Sequence, residues 1–208
     1  ILQVSSAELY GHDGMYKSDS LTEESRVQPH SSYGASKAMI DFYVQARWKE
    51  AKVPCIALRQ FNCMGERETH PYVITEILSQ LYRGDGIKVR LGNDTRRDFM
   101  YAGDAVRDAA LLMENGDFGE VYNLGSQTDI SVYDLARLAG QELGFGQVLV
   151  ERDEERVRPW DIWHLRSDNR KIDEKVGNKG RMPVPLDRAI SYVATWFKSN
   201  DLKWPWEK

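Results

Sequence analysis

Two kinds of pattern alternate along the chain: short apolar runs closed by polar pairs, and longer stretches whose apolar residues return every three or four positions. Ile1-Leu2-Gln3-Val4 ends in Ser5-Ser6, which predicts a buried strand over residues 1–6. Residues 12–32 form a polar loop rich in Ser, Asp, Glu and His, long enough to be functional. Residues 33–51 read as a helix with Ser31 or Ser32 as its N-cap, and 53–61 as a second buried strand. Val73, Ile74, Ile77, Leu78 and Leu81 mark an amphipathic helix ending before Gly84, and Ile87 to Leu91 alternates like a half-exposed strand. A helix over Asp104–Glu114, a strand over Val121–Leu124 and a helix on Val132, Leu135, Ala136, Ala139 and Leu143, stopped by Gly144, come next. A short strand at Val148–Val150 and a helix over 186–198, with Ile190, Val193, Ala194 and Phe197 on its apolar face, complete the reading. Strand, helix and strand in succession imply a right-handed crossover between parallel strands, so the pattern predicts an α/β fold. Ser6 and Asn62 then fall at the carboxyl ends of neighbouring strands, where open α/β sheets hold their ligands.

The helix over 33–51 opens with Tyr33-Gly34-Ala35-Ser36-Lys37. A tyrosine and a lysine four positions apart share one helix face. At ~5 Å and an effective dielectric near 20 the ammonium stabilises a phenolate by ~3 kcal/mol, which suits the tyrosine to general-base work. On spacing alone such a pair is common on helices; its surroundings give it weight.

Composition narrows the classes. The 208 residues suffice for one or two domains, and 41% hydrophobic with 29% charged residues is ordinary for a globular protein. A net charge of −4 argues against a dedicated nucleic-acid or membrane-surface binder. No apolar run approaches the ~18 residues of a membrane span. His12, His30, His70 and His164 lack metal-ligand spacing and H-E-x-x-H is absent, so no metal is expected. G-x-S-x-G is absent too, which leaves hydrolase chemistry without a nucleophile elbow. Cys55 falls in a strand and Cys63 in a loop, which suits free thiols and a reducing, cytoplasmic setting.

Several ordered segments together resemble the extended short-chain dehydrogenase/reductases of the epimerase and dehydratase group that act on nucleotide sugars. They are Ser5-Ser6-Ala7-Glu8-Leu9-Tyr10-Gly11, Tyr33 to Lys37, and Leu58-Arg59-Gln60-Phe61-Asn62-Cys63-Met64-Gly65-Glu66-Arg67. Arg97-Asp98-Phe99-Met100-Tyr101-Ala102-Gly103-Asp104, Val121-Tyr122-Asn123-Leu124-Gly125, Arg158-Pro159-Trp160-Asp161 and Asp168-Asn169-Arg170-Lys171 follow in the family's order. Met64 and Glu66 stand where relatives carry Tyr and Pro, and Ser32 where many carry Pro. No G-x-x-G-x-x-G is found, so the resemblance implies the carboxyl portion of a longer enzyme, inactive without a dinucleotide-binding half.

The resemblance implies the carboxyl part of a Rossmann parallel sheet in residues 1–64 and a smaller α/β substrate domain in 65–208, with 98–125 packing back on the first part. It implies NAD or NADP as cofactor, a nucleoside-diphosphate sugar as substrate and a homodimer in the full-length protein through the helix bearing Tyr33 and Lys37 together with the helix before it. In the roles it carries over, Tyr33 takes a sugar hydroxyl proton, Lys37 supports it and bonds the nicotinamide ribose, and Ser6 bonds the same hydroxyl. The main chain of Cys63 lies near the nicotinamide, Asn62 bonds the sugar or its phosphate, and Arg67, Arg97 and Arg158 take the diphosphate. Glu8 marks the branch. Dehydratases use a Glu there to remove the C5 proton, UDP-glucuronate decarboxylases also carry it, and epimerases usually carry a small or neutral residue. Ala7 stands where dTDP-glucose dehydratases add an Asp, whereas GDP-mannose 4,6-dehydratases lack it. A 4,6-dehydratase is the leading expectation. A 4-epimerase or decarboxylase on the same scaffold and a non-catalytic relative are the alternatives.

Overall fold

The structure, a computed structural model, describes residues 1–11, 19–177 and 183–207. The chain begins with β1 (Leu2–Ser6), a 3-10 turn (Ala7–Tyr10), α1 (Ser32–Ala51), β2 (Ile56–Gln60) and β3 (Asn62–Met64). It continues through α2 (Val73–Arg83), β4 (Lys88–Leu91), β5 (Arg96–Arg97), β6 (Phe99–Tyr101), α3 (Ala102–Asn115) and β7 (Val121–Leu124). Then come β8 (Ile130–Ser131), α4 (Val132–Glu142), β9 (Leu149–Arg152), a second 3-10 turn (Glu154–Arg156), β10 (His164–Leu165), α5 (Arg170–Val176) and α6 (Leu186–Ser199). Two units divide the chain: one takes Ile1–Cys63, Arg97–Asp129 and Ile162–Pro183, the other Met64–Arg96, Ile130–Asp161 and Val184–Lys208.

In the first unit β1, β2 and β7 form a parallel sheet with β2 in the middle. β2 is covered on both faces, which is why Ile56-Ala57-Leu58 reads as an unbroken apolar run. Ile56 and Leu58 pack with Met100, Ala105, Leu112, Tyr122, Leu124 and Ile172. Ala57 packs instead with Val44, Cys55 and Val121, under α1. Each large side chain buried this way is worth roughly 1.5–3 kcal/mol.

Helix α1 starts where Ser31 accepts a hydrogen bond from the Gly34 N–H at 3.0 Å, settling the cap on Ser31 rather than Ser32. It ends at Lys52, whose left-handed φ of 51° turns its N–H back to the Arg47 and Trp48 carbonyls. Its buried stripe is Gly34, Ala38, Asp41 and Val44: three small or branched residues and a carboxylate. Met39, Phe42 and Tyr43 lie on the open face, Met39 being 72% exposed.

The second unit pairs β4 with β9 in parallel. Ile74, Ile77, Leu78 and Leu81 of α2, Leu135, Ala136 and Ala139 of α4, and Ile190, Val193 and Phe197 of α6 form buried faces at the predicted helical spacing. Aromatic rings fill the remaining volume. Phe197 stacks on Trp204 with centroids 4.2 Å apart, Trp204 on Trp206 at 5.6 Å, and Tyr82 meets Phe145 edge-on at 5.0 Å. Arg83 ties down residues 202–207 by bonding the Leu202 carbonyl and both carboxylate oxygens of Glu207.

Several elements depart from the sequence expectation. Residues 7–10 wind into a 3-10 turn and Arg170–Val176 into a helix, neither of which the apolar pattern announced. Cys63 lies in β3, not in a loop, and is exposed, while Cys55 is buried; both are free. Of the expected loop over 12–32, residues 12–18, with His12, lie outside the described residues. Residues 19–32 are described, and Leu21 bridges to Ser167. Among the described residues, no helix is long and apolar enough to cross a membrane.

Candidate active site

Strand register sets the foundation of the site. Ser5, Arg59 and Asn123 occupy one row across β1, β2 and β7, and Ser6, Gln60 and Leu124 the next. A parallel sheet that ends in polar residues must satisfy them locally, because buried polar groups without partners are costly. Arg59 Nε donates to Asp41 Oδ2 at 2.6 Å, and its Nη1 donates to the Tyr10 hydroxyl and the Glu23 carbonyl, both at 2.9 Å. The Tyr10 hydroxyl donates onward to Asn123 Oδ1 at 2.6 Å. Asn123 Nδ2 donates to the Leu21 carbonyl at 2.8 Å, and its N–H to Glu23 Oε1 at 2.7 Å. Burial pushes the Tyr10 phenol up to about 12, so it stays a neutral donor across the physiological range. Burial also pushes the Glu23 carboxyl upward. The network thus joins the turn after β1, the loop before α1, α1 itself and two strands.

The 3-10 turn after β1 carries Glu8. Ser6 begins that turn by accepting the Glu8 N–H at 3.2 Å, and the Ser6 side chain is otherwise nearly buried. Tyr10, two residues on, is the anchor of the network, so Glu8 is fixed from both ends of its turn. Ser31 Oγ donates to Glu8 Oε2 at 3.4 Å. Gly34 allows this approach, since a Cβ there would stand 2.9 Å from the Glu8 carbonyl oxygen.

Tyr33 and Lys37 lie in the first two turns of α1, with the lysine Nζ 5.6 Å from the centroid of the tyrosine ring. Tyr33 is 53% exposed. Lys37 Nζ donates to the Val4 carbonyl at 3.0 Å, and the Lys37 carbonyl accepts from Ser5 Oγ at 3.1 Å, so α1 and β1 are joined at the position of the pair. Ser6, Glu8, Tyr33 and Lys37 are therefore carried by directly bonded segments of one unit. Asn62 and Cys63 follow β2 in the same unit, half-buried and exposed respectively.

The three arginines divide. Arg97 lies in β5 and is 9% exposed. Its neighbour Asp98 is fully enclosed. Asp98 accepts from the Ser126 N–H and hydroxyl at 2.6 and 2.7 Å, the Gln127 N–H at 3.1 Å, and the Ser167 N–H and hydroxyl at 2.9 and 2.6 Å. That carboxylate organises the turn that follows β7. A Cβ on Gly125 would fall 2.6 Å from Asp98 Oδ2, which explains the glycine. Arg67 and Arg158 belong to the second unit and are exposed. Arg67 adopts a left-handed φ of 62°, and the Arg158 carbonyl accepts from Asn93 Nδ2 at 2.7 Å.

In the sequence Tyr10, Arg59, Asp98 and Asn123 mark only the resemblance; the joint role of Tyr10, Arg59 and Asn123, and the separate one of Asp98, emerge from the fold. Asp41 carried a usable signal: at a spacing of three from Ala38 and from Val44, it puts a carboxylate on the buried stripe of α1, which demands a cation opposite.

Known proteins share the sequence and the fold of this chain. The dTDP-D-glucose 4,6-dehydratase of Mus musculus is 28% identical over 209 residues, an alignment covering 98% of this chain and 57% of the mouse protein. The chain thus spans little more than half the length of that curated relative. Among solved structures, the dTDP-glucose 4,6-dehydratase DesIV of Streptomyces venezuelae, solved with NAD bound, superposes with a TM-score of 0.83 at 25% identity, over 100% of this chain and 62% of the other. The UDP-glucuronic acid 4-epimerase of Bacillus cereus shares the fold, with a TM-score of 0.83 at 20% identity over 96% of this chain and 61% of its own. The sequence model of the GDP-mannose 4,6-dehydratase family matches residues 1–185, and the chain belongs to that family.

Proposed function

We propose that the complete enzyme carrying this chain is a nucleotide-sugar 4,6-dehydratase that uses NAD or NADP. The observation that carries the reading is Glu8 hydrogen-bonded to the cap of the helix that presents Tyr33 and Lys37. The partly exposed phenol and the ammonium, whose Nζ bonds the Val4 carbonyl at 3.0 Å, suit the ribose and nicotinamide end of a dinucleotide. The Cys63 main chain is assigned to the same end. When bound, the nicotinamide supplies the acceptor for the C4 hydride and returns it at C6.

The chain's own residues supply the proton chemistry. Tyr33 takes the C4 hydroxyl proton, Lys37 steadies the resulting phenol–alkoxide pair, and Ser6 bonds the same oxygen. A ketone at C4 makes the C5 hydrogen acidic. Glu8 removes that proton; the C5 electron pair becomes the C5–C6 double bond as the C6 hydroxyl departs. Glu8 returns its proton to the departing hydroxyl, which leaves as water; once C6 has received the hydride, C5 takes up a proton from solvent, relayed by Glu8, to give the 6-deoxy-4-keto sugar. One carboxyl serves both steps when both groups lie on one face of the sugar, which suits a chain with Ala7 in place of a second acid. Asn62, Arg67, Arg97 and Arg158 are assigned to the sugar and its diphosphate, the guanidinium fork matching phosphate oxygens.

A 4-epimerase on the same scaffold is the second reading, since Tyr33 and Lys37 would serve C4 oxidation there too. Glu8→Gln separates the two in the complete enzyme offered a panel of nucleotide sugars. A dehydratase keeps the initial reduction of its nicotinamide and loses 6-deoxy-4-keto product by roughly 10²–10⁴-fold. Product formation unchanged by Glu8→Gln ends the dehydratase reading.

A further inference from the structure

The first turn of α1 acts on Glu8 through two separate features. Ser31 Oγ receives the Gly34 N–H at 3.0 Å and spends its own hydrogen on Glu8 Oε2 at 3.4 Å. Gly34 lets the helix close on the 3-10 turn, where an added Cβ would also meet Pro29 Cβ at 3.1 Å. A serine needed only as a helix cap would leave its hydroxyl hydrogen to water. Here it reaches a carboxylate 23 residues away in sequence. The opposite end of the Glu8 residue is held by Ser6 through the Glu8 N–H. The carboxylate is thereby restrained against the amino end of a 20-residue helix, where negative charge is favoured.

We propose that Ser31 is a positioning residue for the elimination step: its hydroxyl holds the Glu8 carboxylate against the helix that carries Tyr33 and Lys37. The catalytic consequence rests on the dehydratase reading above; the restraint on Glu8 does not. Ser31 touches neither substrate nor cofactor in this assignment. It acts on which of two steps Glu8 can reach, because misplacing a reacting group by ~1 Å can cost ~10²-fold in rate.

Two substitutions separate capping from positioning in the complete enzyme. Ser31→Thr keeps both the cap and the hydroxyl donor. Ser31→Asp keeps the cap, since aspartate caps helices as well as serine does, but replaces the donor with a second carboxylate facing Glu8. The expected result is ~10²-fold slower release of 6-deoxy-4-keto product in Ser31→Asp, with reduction of the bound nicotinamide retained so that the reduced form accumulates. Ser31→Thr is expected to return most of the lost rate. Equal product rates in the two variants overturn the proposal, and so does a Ser31→Asp enzyme that loses nicotinamide reduction along with product.

An enzyme that neither reduces its nicotinamide nor yields product with any nucleotide sugar would defeat the dehydratase reading instead. The Ser31–Glu8 restraint is then read from thermal unfolding of wild type, Ser31→Ala, Glu8→Ala and the double variant. A double variant whose loss of Tm is smaller than the sum of the two single losses supports the restraint, and strict additivity overturns it.

Discussion

The interiors of the two units solve the same packing problem with opposite chemistry. In the first, the ends of a parallel sheet are closed by a chain of buried polar groups, Asp41–Arg59–Tyr10–Asn123, and by the enclosed carboxylate of Asp98. In the second, rings fill the volume that the aliphatic helix faces leave, with Phe197, Trp204 and Trp206 stacked and Tyr82 edge-on to Phe145. Stacked rings tolerate small shifts, since dispersion is non-directional. Hydrogen bonds of 2.6–2.9 Å between charged and polar groups do not, because their energy falls steeply with distance and angle. The polar interior therefore fixes the register of the segments that carry Ser6, Glu8, Tyr33 and Lys37, and the aromatic interior fixes only the relative placement of helices. Precision is placed at the segments to which the proposed proton chemistry is assigned.

The comparison can be broken most directly at Arg59. Its side chain and that of Asp41 are 4% and 1% exposed, and Arg59→Ala leaves a buried carboxylate without its cation. The expected cost is about 3–5 kcal/mol, read by urea unfolding of the complete enzyme. In the aromatic interior, Phe197→Leu loses part of a stacked contact and leaves a volume that neighbours can refill, at roughly 1–3 kcal/mol. If Arg59→Ala costs no more than Phe197→Leu, the contrast between the two interiors is wrong.

The smallest effect belongs to the exposed ion pair that ties down residues 202–207. Bonding from Arg83 brings the Glu207 carboxyl from its ordinary 4.5 down to about 2. A carboxyl lowered in the folded state stabilises above its unfolded value, and that contribution disappears as pH falls through the folded value. Glu207→Gln should therefore lower Tm slightly near neutrality, with the gap to wild type closing between pH ~4.5 and ~2. A gap that persists at pH 2 would remove the ion pair from the account.

Much of the fold was legible because it is written in periodicity. Ile56-Ala57-Leu58 gave a strand buried on both faces, and Ile74, Ile77, Leu78 and Leu81 gave one face of α2. Elements too short to show a period escaped: the four-residue turn at Ala7–Tyr10, and α5, whose sequence Arg-Lys-Ile-Asp-Glu-Lys-Val buries only Ile172. For the candidate site, the Tyr33–Lys37 spacing was readable because both residues share a helix. The Ser31–Glu8 contact was not, because no local rule connects a serine cap with a turn on another element. Tyr10 and Asn123 stand 113 positions apart, and only the register of β1, β2 and β7 brings their neighbourhoods together.

The Asp41–Arg59 pair also constrains how this chain can diverge. Replacing either side chain alone strands an ion in the interior, while replacing both with matched apolar residues can leave stability unharmed. A change at position 41 or 59 alone therefore costs more than a matched change at both, which couples the two positions as a latch does.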